Sequence, residues 1–248
     1  PYPKDLRSNI KEAIFLAKSI RNKNVKCPHI ISLEKEITLL HAEATNNLLL
    51  FANLKPKNID IVGFHGQTIS HDPVNKFTWQ IGDGAQLAIL IGIEVVNKFR
   101  DRDVKFGGQG APLVPLYHLA LFNTKEIKRP VVILNIGGVS NLTYIGQGIG
   151  NLIGFDTGPG NALIDDWVMK HFNKPYDESG IIAASGKVDT KLLAELMENA
   201  FFQRTPPKAL DRDSFDINCF SHLTPKDGAA TLTEFTVEAI KASALHLP

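Results

Sequence analysis

Cysteine is scarce in this chain: Cys27 and Cys219 are the only two in 248 residues, far apart and without the close spacing of metal ligands. That excludes a disulfide framework and a cysteine zinc site, and fits a reduced, cytoplasmic setting. No apolar run reaches the roughly 20 residues needed to span a bilayer, and no signal-peptide pattern opens the chain. Charge of one sign is lacking too. Lys and Arg number 27 against 26 Asp and Glu, a formal net charge of +1 that gives no grounds for expecting nucleic acid or an anionic membrane as partner. There is no GxxxxGK[ST] loop and no HRD/DFG pair, so P-loop and protein-kinase designs are excluded. What remains is an ordinary globular composition, 44% hydrophobic and 21% charged, with length enough for one large or two modest cores.

Apolar residues recur at helical spacing over about 8–21 and 33–53; in the second stretch Leu33, Ile37, Leu40, Ala44, Leu48 and Phe51 predict one buried face, with Ser32 as N-cap. Short apolar runs predict strands at Ile59–Phe64, Phe77–Ile81, Ile93–Val96 and Asn151–Phe155. Helices are expected over Ala85–Ile91, Pro112–Phe122, Asn161–Phe172, Thr190–Phe201 and Thr231–Leu247, with a charged, glycine-rich loop from Arg100 to Gly110. Strands alternating with helices give an α/β class with mixed sheets. The charge-rich stretch near Phe99–Gly108 marks the expected crossing between a first domain over 1–101 and a second over 102–248.

The most informative stretch is Val131-Val132-Ile133-Leu134-Asn135-Ile136-Gly137-Gly138-Val139-Ser140-Asn141, a strand, a tight turn and a returning strand. Bare glycines there would let a phosphate approach backbone N–H groups. Asp156-Thr157-Gly158-Pro159-Gly160-Asn161 follows, read as a sharp strand-to-helix turn whose helix N-terminus would attract phosphate. Asp156 is either a helix-capping carboxylate or a general base; the neighbouring phosphate features favour the base. His65-Gly66-Gln67-Thr68 reads as a polar loop at a strand's carboxyl end, suited to sugar hydroxyls. Phe99-Arg100-Asp101-Arg102-Asp103-Val104 is a solvated charge run or a binding loop in which an Arg grips a substrate carboxylate. His71 reads as a surface or supporting residue, and the helix dipole alone accounts for Asp165 and Asp166. The charged loop Pro206–Asp213 says little by itself.

Taken in order, Phe64–Thr68, Gln80-Ile81-Gly82, Phe99-Arg100 with Asp103-Val104, Gly107-Gly108-Gln109-Gly110-Ala111-Pro112-Leu113-Val114-Pro115, Asn135–Gly138 and Gly154–Asn161 closely resemble the anhydro-N-acetylmuramic acid kinases, over nearly the whole chain. The resemblance implies an actin/hexokinase-like two-domain fold, its mixed sheets flanked by helices, with ATP and Mg²⁺ as cofactors. It implies opening of a 1,6-anhydrosugar with phosphorylation of O6 in cell-wall recycling. Asp156 matches the general base. His65, Gly66, Gln67, Thr68, Arg100 and Asp103 fall at the sugar, and Asn135, Gly137, Gly138, Gly158, Gly160 and Asn161 at the nucleotide phosphates. Metal ligands are not assigned. A homodimer is also suggested.

The family's first phosphate loop, Gly-Thr-Ser-x-x-Gly-x-Asp, and its later glycine-rich adenosine segment are not found in these residues, so the fold is expected to be truncated at both ends. Lys208-Ala209-Leu210-Asp211-Arg212 stands where Lys-Ser-Thr-Gly-Arg is expected. These 248 residues alone are therefore expected to have little or no activity. The alternatives are another sugar or acyl kinase of the same superfamily, or a non-catalytic remnant that keeps sugar binding.

Overall fold

The first element of the computed structural model is a helix, α1 (Lys4–Ala17), whose Leu6, Ile10, Ala13 and Ala17 make one buried face. Residues 2–122, 127–148, 150–211 and 214–248 are described. The chain divides into two units, Pro1–Gly110 and Ala111–Pro248.

In the first unit, α1 is followed by α2 (Pro28–Phe51), which begins more than a turn before the predicted start. Cys27, not Ser32, is its N-cap residue, because Pro28 suits the first turn, where its missing N–H is no loss. The predicted apolar face holds at Leu33 and Ile37 and then fails: Leu48 is 64% and Phe51 90% exposed, while Thr38, Ala42 and Leu49 are buried. Next come β1 (Val62–Phe64), β2 (Gln67–Asp72), β3 (Phe77–Ile81), α3 (Gly84–Ile91), β4 (Val95–Asn97) and the short α4 (Asp101–Lys105). β1 is shorter than the predicted Ile59–Phe64 because its parallel partner β4 offers only three residues to pair. β2 and β3 form a separate antiparallel pair. β2 was not expected, since only Ile69 among its polar residues turns into the core. The Arg100–Gly110 loop likewise contains a helical turn, α4. Phe64, Ile69, Trp79 and Ile81 join the helices in one cluster, each worth about 1.5–3 kcal/mol when fully buried.

The second unit runs α5 (Pro115–Leu121), β5 (Val131–Ile136), β6 (Val139–Ile145), β7 (Leu152–Pro159), α6 (Ala162–Phe172), α7 (Ile181–Ala184), α8 (Thr190–Met197), α9 (Ala200–Gln203) and α10 (Pro225–Ser243). Its sheet is antiparallel in the order β5-β6-β7. The predicted helix Thr190–Phe201 is two helices, because Asn199 leaves helical geometry and accepts the Phe201 N–H at 2.9 Å as the cap of α9. α10 starts before the predicted Thr231, at Pro225, capped by Thr224. Trp167, Phe201, Phe202, Phe215, Phe220 and Phe235 form the aromatic core beneath these helices. The decisive difference from the sequence reading is in β7, which continues past Phe155 to Pro159.

Candidate functional site

Because β7 continues, Asp156 lies inside a strand rather than at its end. A bulge between Ser140 and Asn141 lets the ladder resume, so that β6 pairs Asn141 with Asp156 and Ser140 with Gly158. β5 pairs Asn135 with Asn141. Directly opposed residues share a sheet face. Asn135, Asn141 and Asp156 therefore form one polar row across three strands, a few residues from the Gly137–Gly138 turn. On the same face His118 Nδ1 lies 2.8 Å from Thr143 Oγ1. Asp156 is buried, 6% exposed. Its Oδ2 accepts the Leu210 N–H at 2.8 Å, and its own N–H donates to the Lys208 carbonyl at 3.0 Å.

The helix that follows is sewn to the hairpin. Gly160 N–H and Ala162 N–H donate to the Gly138 carbonyl at 3.0 and 3.2 Å, and Asn161 N–H to the Gly137 carbonyl at 2.7 Å. Asn161 Nδ2 adds a bond to the Ile136 carbonyl at 2.9 Å. These amides at the start of α6 thus face the hairpin's carbonyls, so they are not the open N–H groups that the expected phosphate attraction at Gly158, Gly160 and Asn161 relied on. Gly160 must be glycine: a Cβ would stand 2.2 Å from the Gly137 carbonyl oxygen. Gly158 is packed against Ala239 and Phe202. Gly137 and Gly138 differ. Neither has a positive φ, and a Cβ on either would come no nearer than 3.4 Å to any neighbour. The fold does not require glycine at this turn, so its bareness leaves room for a ligand.

Lys208 is 4% exposed. Its Nζ donates to the Phe201 carbonyl at 3.3 Å, lies 3.3 Å from His246 Nε2, and stands 4.7 and 5.7 Å from the ring centres of Phe201 and Phe155. Burial pushes this ammonium below its usual pKa, and the Arg204 charge adds to the effect. His246 is lowered first by burial and next by the Lys208 charge, while a bond to the Phe202 backbone pulls the other way. Arg212 and Asp213, in the same loop, lie outside the described residues.

In the first unit the expected sugar residues are partly assembled. Arg100 Nε donates to His65 Nε2 at 3.0 Å, and His65 Nδ1 lies 2.9 Å from the Gly66 carbonyl; together these require the Nδ1–H tautomer. Arg100 Nη1 also donates to the Gly110 carbonyl. Asp103 Oδ2 accepts the Gly110 N–H at 2.7 Å. Thr68 Oγ1 accepts from Gln80 Nε2 at 3.3 Å, and Gln67 Nε2 turns back to the Thr68 carbonyl at 3.1 Å. Gly66 has φ +68°, and a Cβ there would meet the Ile81 carbonyl at 2.4 Å. Arg100, read as a carboxylate clamp, thus has two of its N–H groups directed at protein acceptors.

Sequence reasoning passed over Asn141, Lys208 and His246. Asn141 was findable, since Asn135 and Asn141 sit symmetrically about Gly138 and a hairpin must bring them opposite each other. Lys208 stands where the resemblance expects a Lys, but nothing in the charged loop Pro206–Asp213 signals its burial.

The structure is thus an α/β protein with two polar groupings: a carboxylate in a polar row beside a bare glycine turn, and a histidine–arginine cluster around a second turn. Residues 1–247 match the family described as anhydro-N-acetylmuramic acid kinase. The chain is 47% identical over 248 residues to the anhydro-N-acetylmuramic acid kinase of Rhizorhabdus wittichii, covering 100% of this chain and 67% of that protein. It is 47% identical over 239 residues to the enzyme of the same name from Methylobacterium nodulans, covering 96% and 64% of the two chains. With that of Rhodopseudomonas palustris strain BisB18 it shares 45% over 248 residues, 100% and 68% of the two. The chain belongs to the anhydro-N-acetylmuramic acid kinase family, and spans about two thirds of the length of these relatives.

Proposed function

We propose that this chain supplies the acceptor-sugar residues and the phosphate hairpin of an ATP-dependent kinase that opens 1,6-anhydro-N-acetylmuramic acid and phosphorylates O6, giving N-acetylmuramic acid 6-phosphate and ADP. The observation that carries this is the register that lines up Asn135, Asn141 and Asp156 beside the Gly137–Gly138 turn. In this reading the Leu210 N–H fixes the orientation of the Asp156 carboxylate, which takes a proton from water as the water oxygen bonds to the anomeric carbon. The C1–O6 bond breaks, and O6 takes the γ-phosphoryl group. Asn135 and Asn141 bring amide donors to the charge that develops, and the bare turn admits the phosphate. Gly158, Gly160 and Asn161 serve the same site by holding the hairpin on α6. His65–Thr68, with Arg100 and Asp103 shaping the turn, meet the sugar's hydroxyls and carboxylate.

Among the described residues no three His, Cys, Asp or Glu side chains converge as a metal cage. A Mg²⁺ ion, if bound, would offset charge on the nucleotide phosphates. The two α/β units suit the actin/hexokinase-like architecture of such kinases. Kinship with these kinases supports a cytoplasmic reaction, and the resemblance suggests a homodimer. No described helix is long and apolar enough to cross a membrane.

Calorimetry with the anhydrosugar and, separately, with ATP–Mg²⁺ tests the reading directly. Sugar binding without nucleotide binding would mark these residues as the acceptor part alone. ATP binding with no response to the anhydrosugar would point to a different kinase. Where turnover is measurable, Asp156→Asn should lower kcat about 10²–10⁴-fold with sugar affinity unchanged. An ADP-release rate within twofold of wild type would end the assignment of the base.

A further inference from the structure

The segment that caps Asp156 is itself held by a buried cation. Lys208 gives its carbonyl to the Asp156 N–H, and two residues later Leu210 gives its N–H to the Asp156 carboxylate. Between these bonds the chain has no regular structure of its own. It is anchored through the Lys208 side chain, which threads between Phe155 of β7 and Phe201 of α9 and ends against the Phe201 carbonyl and His246 Nε2. His246 comes from the turn just after α10, so three separate elements converge on one ammonium. Its role as acceptor requires neutral imidazole with the proton on Nδ1. If the site only had to be filled, an apolar side chain of similar volume would do so at lower desolvation cost. A charge retained where it opposes folding points to a task other than stability.

We infer that Lys208 is a positioning residue for Asp156: its ammonium locks residues 208–210 along the edge of β7, so that the Leu210 amide holds the carboxylate in one orientation. The catalytic consequence rests on the reading of Asp156 as base, whereas the lock itself does not. His246 is the second half of the lock.

Amide hydrogen exchange by NMR on the full 248-residue chain tests it, comparing wild type with Lys208→Met and Lys208→Arg. Met keeps the stem between the two rings and removes the donor. In Lys208→Met the Asp156 and Leu210 amides should exchange about tenfold faster, the value of one charge-assisted hydrogen bond. The rest of β7 and α6 should be unmoved, and the melting temperature should stay within about 2 °C. Lys208→Arg should restore most of the protection. Unchanged exchange at Leu210, or a uniform loss of protection across the unit, would overturn the lock. Should Lys208→Met fail to fold, His246→Phe keeps a ring against Phe155 and removes the acceptor. It should speed exchange at the same two amides about threefold, and no change there would be equally fatal. Where turnover is measurable, kcat should fall while the sugar KM holds. Faster exchange with unchanged kcat would leave the lock standing and sink the base assignment instead.

Discussion

Between residues 135 and 161 the second unit spaces its polar side chains by a backbone ladder, whereas around His65 and Arg100 the first unit ties its loops together through bonds made by side chains. The hairpin of β5 and β6 is bonded to the start of α6 through the amides of Gly160, Asn161 and Ala162, and the Gly160 carbonyl is taken in turn by Thr236 Oγ1 at 3.0 Å. The Asn135–Asn141–Asp156 row inherits its spacing from a ladder that cannot slip without turning every side chain over. In the first unit the partly or largely exposed side chains of Arg100 and Asp103 do this work: Arg100 orients His65, and both hold the buried Gly110. Side chains of this kind repack readily. Groups that must meet a reacting atom profit from the first arrangement, and groups that must accommodate a sugar's hydroxyls tolerate the second.

The comparison breaks most sharply at Gly160. Gly160→Ala sets a Cβ 2.2 Å from the Gly137 carbonyl oxygen and 3.1 Å from the Val139 carbonyl carbon, both backbone atoms that cannot step aside. We expect a loss of about 3 kcal/mol or more, seen as a fall of about 10 °C in melting temperature. The control lies in the turn itself. Gly137→Ala meets nothing nearer than 3.4 Å, so it should change stability by less than about 0.5 kcal/mol. If the reading of the turn is right, it should nonetheless weaken nucleotide binding measured by calorimetry. Equal destabilisation by both changes would mean that the turn's glycines serve packing after all.

A weaker effect is expected at Asp103, where the first unit relies on one exposed carboxylate. Asp103→Ala removes the acceptor of the Gly110 N–H and leaves Arg100 to hold the loop alone. Stability should fall by no more than about 1 kcal/mol, because water can replace the carboxylate, while anhydrosugar affinity drops about tenfold. A melting-temperature loss as large as that of Gly160→Ala would remove the distinction between the two regions.

The same contrast explains what could be read from the sequence. The hairpin was legible because its β-branched run and paired glycines are local signals. The α/β class was legible from the alternation of apolar runs, and α6 to within a residue of its start from the glycines before it. β2 was not, since a strand that buries one Ile among polar neighbours has no apolar period to detect. The length of β7 was hidden for a different reason: it is set by pairing with β6 across a bulge, a long-range fact. The burial of Lys208 depends on Phe155, Phe201 and His246, which are distant in sequence. Local signals were read, Asn141 excepted, and what depends on contacts distant in sequence, the length of β7 and the burial of Lys208, was missed.

Acid should produce the smallest of these effects, and in a defined place. Asp189 caps α8, and its carboxyl is held below the usual range first by the Leu192 N–H, with His222 helping. Asp227 is lowered first by the Lys187 N–H and next by the Thr224 hydroxyl. Both acids bind down the stretch from Lys187 to Asp189, which Thr231 Oγ1 of α10 also holds at 2.9 Å. A carboxylate with a depressed folded pKa adds stability that is complete above its unfolded value, about 3.9, and is lost as pH falls through the folded value below it. Amide exchange in α8, corrected for intrinsic rate, should therefore be unchanged between pH 7 and 5 and then rise below pH 4. Both carboxylates lie in water, so the loss is modest. If exchange in α8 rose already between pH 7 and 5, these two carboxylates would not be the groups that acid releases.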